Sequence, residues 1–194
     1  MYVPTLGDRL PRRGNRLTRA AGRWVLRLWG WRFEGVIPDH PKMVVIAAPH
    51  TTAWDFIVGM VAIFAIGIRV SWLGADWVFR FPMMRSLGGI PVDRSRRHDL
   101  VARTVESFAG RERHVLALSP EGTRSKRVPW RTGFYHIARG AEVPVLLAAI
   151  DQRAKLLSIG PSFLPSGDYE ADMEEHIRPF YGEYLDKYPE RFGI

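Results

Sequence analysis

The chain has 194 residues, 46% of them hydrophobic, enough for one globular domain with a sizeable core. It contains no cysteine, which excludes disulfides, thiolate metal sites and a cysteine nucleophile, and fits a reducing compartment. The net charge of +8 is concentrated at one end: residues 1–32 hold eight Arg against one Asp, a net of +7, and the remainder carries +1.

Met1 to Leu10 lacks a basic segment followed by an apolar one, so no secretory signal is expected. Leu17, Ala20, Ala21, Trp24, Val25, Leu28 and Trp29 then recur at helical spacing, with Arg16, Arg19, Arg23 and Arg27 between them. Residues 1–30 therefore read as a basic amphipathic N-terminal helix ahead of a domain over 31–194. Such a helix suits an anionic membrane surface, with tryptophans in the headgroup layer and arginines on phosphates. Its rivals are a helix whose Leu and Trp stripe docks on the domain, and a nucleic-acid-binding arm.

Trp31–Gly35 reads as a short strand, Ile37–Pro41 as a turn and Met43–Ala48 as a buried strand. Phe56–Ile68 is an apolar run of 13 residues, read as a helix from Trp54 to about Gly67. A bilayer crossing needs about 20 residues, so this is a core helix and membrane association is expected to be peripheral, on the cytoplasmic face. Arg69–Leu73 is a strand, Trp77–Leu87 a short helix or apolar loop around Pro82, and Gly89–Asp93 a strand whose Pro91 suggests an edge. Asp99 is placed to cap a helix closed by Gly110, with Leu100, Val101, Thr104, Val105 and Phe108 inward. Val115–Leu118 is a strand, Ser119–Arg131 a polar loop, and Phe134–Gly140 a helix with Gly140 at its C-cap. Val143–Ile150 and Lys155–Ile159 follow as strands, and Gly167-Asp168 opens a last helix reaching about Tyr184. Strands alternating with helices predict a single α/β domain, a mixed, mostly parallel sheet flanked by helices.

Three charged clusters sit just beyond predicted strands, where open α/β sheets bind ligands. They are His50 with Asp55, Asp93-Arg94, and Ser119-Pro-Glu-Gly-Thr-Arg124. A histidine at a strand end with a carboxylate in the next helical turn can act as an oriented general base. Thr52 to Asp55 also fits a helix capping box, which needs no catalysis.

Taken together, the clusters resemble the glycerolipid acyltransferase family, which includes the 1-acylglycerol-3-phosphate acyltransferases. That family carries His-x-x-x-x-Asp, Gly-x-x-x-x-Arg, Phe-Pro-Glu-Gly-Thr-Arg-Ser and an apolar stretch with Val-Pro, in that order. Here they stand as His50-Thr-Thr-Ala-Trp-Asp55, Gly89-Ile-Pro-Val-Asp-Arg94, Leu118-Ser-Pro-Glu-Gly-Thr-Arg-Ser125 and Val143-Pro-Val-Leu, covering about Trp31 to Ile150. Ser119 replaces the usual Phe, Thr51 and Thr52 follow the histidine where Lys or Asn with Ser is common, and Arg131-Thr-Gly133 stands for a basic residue before Gly.

The resemblance implies acyl transfer from acyl-CoA or acyl-carrier protein to a hydroxyl of a glycerolipid acceptor, lysophosphatidate by default, with no cofactor and no metal. His50 and Asp55 are then the catalytic residues. Arg94, Glu121, Gly122, Thr123 and Arg124 bind substrate: the guanidinium groups suit a phosphate, Glu121 the acceptor's hydroxyl or an organising bond to an arginine, and Gly122 lets the loop approach closely. Phe79, Phe81, Met83 and Met84 are candidates for an acyl groove or for ordinary core. A thioesterase using Ser119 is a poorer reading, because Ser119 lacks the Gly-x-Ser-x-Gly elbow. A basic, non-catalytic binding module is the other rival.

Overall fold

The computed structural model describes residues 1–50, 52–92, 97–121 and 129–187, with backbone alone at 97–99, 185 and 186. In chain order these form α1 (Arg16–Leu28), β1 (Arg32–Glu34), β2 (Lys42–Ala48), α2 (Ala53–Ile66) and β3 (Ser71–Ala75). A 3₁₀ turn (Asp76–Arg80), α3 (Met83–Ser86), β4 (Gly89–Val92), α4 (Arg97–Ala109) and β5 (His114–Leu118) come next. Then follow α5 (Gly133–Gly140), β6 (Val145–Asp151), β7 (Leu156–Phe163), α6 (Tyr169–Asp172), a π turn (Met173–Ile177) and α7 (Arg178–Lys187).

The strands make one seven-stranded sheet in the order β1-β7-β6-β2-β5-β3-β4. All neighbouring pairs are parallel except β6 and β7, which form an antiparallel hairpin. β2 lies between β5 and β6 and is buried on both faces, and strand alternation sorts its residues between two cores. Val44, Ile46 and Ala48 join the core under α4, α5 and α7, with Phe108, Phe134, Ile177 and Tyr181. Met43 joins the opposite core with Leu10, Ile68, Val115 and Leu146.

α2 is apolar around most of its circumference because α1 covers the side turned away from the sheet. It ends at Gly67, whose left-handed backbone (φ 85°) lets its N–H reach the carbonyl of Ile63. α1 runs antiparallel to it: Gly22 meets Ala65, and Trp29 meets Trp54 with ring centroids 4.9 Å apart. The helices touch at Gly22 so closely that a Cβ there would stand 2.7 Å from the Ala65 nitrogen.

This seam divides the apolar stripe of α1. Gly22 and Leu26 are buried, and Val25 and Trp29 are half-buried beside them. Leu17, Trp24 and Leu28 lie about 200–240° around the helix from Gly22 at 100° per residue, and are 79%, 63% and 63% exposed. α1 therefore docks through Gly22 and Leu26 and presents Leu17, Trp24 and Leu28 outward.

Several boundaries differ from those read in the sequence. α4 begins at Arg97, ahead of Asp99, so Asp99 is inside the helix and does not cap it. Gly140 is the last residue of α5, and Ala141 takes the C-cap position. The final helix is capped by Asp168, whose carboxylate accepts the Ala171 N–H at 3.1 Å, but a π turn interrupts it at Met173–Ile177. β7 runs to Phe163, further than expected, because pairing with β6 extends it. β4 forms the sheet edge, where Pro91 is tolerated.

Candidate active site

β2, β3, β4, β5 and β6 point the same way, so their carboxyl ends share one edge of the sheet. That edge receives His50 from β2, Ser119 and Glu121 from beyond β5, and Gln152 from beyond β6. β2 is central and its neighbours are β5 and β6, so these three chain segments meet.

The chain leaves β2 through Pro49 and His50 and enters α2 with Thr52 as N-cap in extended conformation. Asp55 sits in the first turn of α2, and its Oδ2 accepts the Thr52 N–H at 2.7 Å. The same oxygen faces His50 Nδ1 at 3.9 Å. The capping box and the histidine–carboxylate pair are thus one arrangement: the bond that starts the helix also aims the carboxylate at the imidazole. The Asp55 side chain is 1% exposed and that of His50 27%. A buried carboxylate keeps its charge only when hydrogen-bonded, and Gln152 supplies a further bond. Its amide donates to Asp55 Oδ1 and, at 2.8 Å, to Thr52 Oγ1.

Glu121 approaches from the other side. Its Oε2 accepts the backbone N–H of His50 at 2.9 Å and the Ser119 hydroxyl at 3.1 Å. Its other oxygen is buried with no hydrogen-bond partner among the described residues. Burial pushes this carboxyl up to about 7 against the lowering effect of those two bonds, and the charge of Asp55 adds to the rise. The side chain is almost fully buried, so in this arrangement Glu121 fixes the backbone of His50 from beneath.

Of the residues singled out from the sequence, the structure brings together His50, Asp55, Glu121 and Ser119. Arg94, Gly122, Thr123 and Arg124 lie outside the described residues. Phe79 is half-buried and stacks on Trp72 (5.7 Å between centroids), a packing role, whereas Phe81 and Met83 are exposed. Gln152 was not singled out, although it follows a predicted strand just as His50 does. Among the described residues, no group of three or more His, Cys, Asp or Glu is placed to hold a metal.

A sequence model of the family described as Acyltransferase matches residues 32–151. The chain belongs to the acyltransferase family. The matched span begins at β1 and ends at Asp151, and so contains the dyad and its Glu121 support. No curated protein sequence matches this acyltransferase significantly. Among solved structures it is similar to the 1-acyl-sn-glycerophosphate (LPA) acyltransferase PlsC from Thermotoga maritima. The TM-score is 0.61 at 18% identity, over 89% of this chain and 76% of that one. At that identity the likeness bears on the fold: the acyltransferase has the PlsC architecture.

Proposed function

We propose that this acyltransferase moves a fatty acyl group from acyl-CoA or acyl-carrier protein to a hydroxyl of a glycerolipid acceptor, with lysophosphatidate as the first to test. The observation that carries the reading is the dyad itself. A partly exposed imidazole has Nδ1 turned to a buried carboxylate at 3.9 Å.

In this mechanism Nε2 of His50 takes the proton of the acceptor hydroxyl as its oxygen attacks the thioester carbonyl. Asp55 holds the tautomer and stabilises the imidazolium that forms. The tetrahedral intermediate collapses with loss of the thiolate, which takes the proton from His50, leaving an ester, a free thiol and a neutral imidazole. The thioester is already activated, so no covalent acyl-enzyme is required. Arg94 and Arg124, by the resemblance, bind the acceptor's phosphate. Exposed Phe81 and Met83, close after β3 on the sheet edge of the dyad, suit the acyl chain.

The acceptor of such a reaction resides in a membrane, and we place this protein peripherally on the cytoplasmic face. Outward Leu17, Trp24 and Leu28 beside Arg16, Arg23 and Arg27 support this, as does the contact of Trp29 with Trp54 next to the dyad. No helix among the described residues is long and apolar enough to cross a bilayer.

The test is thiol release from long-chain acyl-CoA on anionic vesicles, with and without lysophosphatidate, beside His50→Ala. Release should depend on the acceptor and fall by about 10²–10⁴-fold in the variant. Release without acceptor would point instead to a thioesterase.

A further inference from the structure

We infer that Gln152 is the positioning residue of the dyad, holding the Asp55 carboxylate toward His50 by a neutral hydrogen bond delivered from the neighbouring strand. The inference rests on the reading of His50 and Asp55 as the reactive pair.

The sheet makes this contact possible. Ala149 of β6 pairs with Ala48 of β2, and Gln152 lies three residues beyond Ala149, level with the start of the loop into α2. Its amide has two N–H groups, and Asp55 Oδ1 and Thr52 Oγ1 each accept one contact from that nitrogen. The carboxylate can only accept, so the amide nitrogen, not its oxygen, must face it. Asp55 then has Oδ2 committed to the Thr52 N–H and turned to His50, and Oδ1 committed to Gln152. The carboxylate is pinned at both oxygens and cannot rotate away from the imidazole.

The chemistry of the residue matters as much as its place. Lys or Arg here would hold the carboxylate equally well but would compete with the imidazolium for its charge. Glu would repel it, and Leu would take a donor away from a buried oxygen. A neutral amide holds Asp55 in place and leaves its charge for His50. Among the described residues, the titratable groups near this spot include Glu121, bonded to the His50 backbone, Arg153, next in the chain, and the Asp151–Lys187 ion pair at 3.1 Å beside Gln152.

Two variants separate positioning from plain structural support. Gln152→Leu removes the donor without adding charge, and Gln152→Lys keeps a donor but adds charge. Each is read by thermal unfolding, by kcat and KM in the thiol-release assay, and by NMR titration of the His50 imidazole, assigned by its loss in His50→Ala. Gln152→Leu is expected to lower kcat about 10-fold or more with KM changed less than about twofold. Gln152→Lys is expected to lower the His50 titration midpoint by about half a unit or more.

If Gln152 only supports the fold, Gln152→Leu lowers the melting temperature while kcat per folded molecule stays put. The His50 midpoint of Gln152→Leu then stays where it is in the parent, and that pair of results overturns the inference. Should Gln152→Leu fail to fold, Gln152→Ala is read in the same way. The titration needs no substrate. A parent without acyltransfer but with a His50 midpoint that follows residue 152 therefore refutes the proposed reaction and leaves the coupling standing.

Discussion

Glu121 shows how burial can outweigh hydrogen bonding at a single carboxyl. It accepts two donors, yet loss of solvent pushes it up to about 7. The native state therefore binds more protons than the unfolded chain between its ordinary value of 4.5 and about 7, and this group's contribution to stability falls as pH rises through that window. His114 acts in the opposite sense. Burial, with Arg111 and Lys42 nearby, lowers it to about 4, so its contribution rises with pH between there and the ordinary 6.5. The two slopes oppose each other over most of the same range. In Glu121→Gln the amide oxygen still accepts the His50 N–H, but the proton linkage is gone. Its stability relative to the parent should climb from about pH 5 to about pH 7 and level off by about pH 8. Denaturant unfolding at those values measures it, and a constant difference across them would show that Glu121 does not titrate there. His50, Asp55 and Glu121 were singled out in the sequence because each belongs to a short motif, Glu121 for substrate and not for the bond it makes to the His50 backbone. Gln152 was not, because its partners, Thr52 and Asp55, are 100 and 97 positions away and reach it only through the pairing of β6 with β2.

α1 and α2 illustrate the same division between local pattern and assembly. The helical period of α1 and its cap, Asn15 accepting the Thr18 N–H at 3.0 Å, follow from adjacent residues. Which face docks does not. Hydrophobicity alone would bury Leu17, Trp24 and Leu28, but Gly22 permits the closer backbone approach and takes the seam. Helix propensity favours Ala over Gly by about 1 kcal/mol in a helix interior, so Gly22→Ala would stabilise an isolated α1. Against Ala65 the added Cβ must displace backbone, and overpacking of this kind costs about 1–3 kcal/mol. Gly22→Ala is therefore expected to lower the melting temperature, and Gly22→Val to lower it further, at about 2–4 °C per kcal/mol for a chain of this size. A raised melting temperature in Gly22→Ala would show that α1 is not clamped on α2. The π turn before α7 was not read from the sequence, although Pro179, which has no N–H to donate back to Glu175, stands two residues after it.

In the folded molecule as a whole, α1 carries Arg16, Arg19, Arg23 and Arg27 together with outward Leu17, Trp24 and Leu28, and its C-terminal end abuts the start of α2 beside the dyad. A membrane lying on that surface would present its lipids close to His50. Replacing Leu17, Trp24 and Leu28 together by Ser removes apolar surface that is exposed in the folded protein. Stability should change little, since exposed substitutions shift it by about 0.5 kcal/mol or less each. Sedimentation with anionic vesicles should fall markedly at about 0.1 M salt, because wedged side chains and arginine contacts act together. Undiminished sedimentation of the folded triple variant would rule out α1 as the contact. The hydroxyl-dependent reaction on a water-soluble, short-chain acceptor should survive these changes, since none of the three residues belongs to the dyad.

Local order in the chain determined the element sequence, the α/β class and the identity of the histidine, its carboxylate and Glu121. Strand alternation, helical period and short-range motifs are properties of neighbouring residues. The tertiary structure decided the rest. It set the strand order that makes β5 and β6 the flanks of β2, the amide that pins Asp55, and the burial that lifts Glu121. It also decided the face of α1 left to solvent. Each of these depends on which distant segments become neighbours and on how much water they exclude, and no local pattern carries that information.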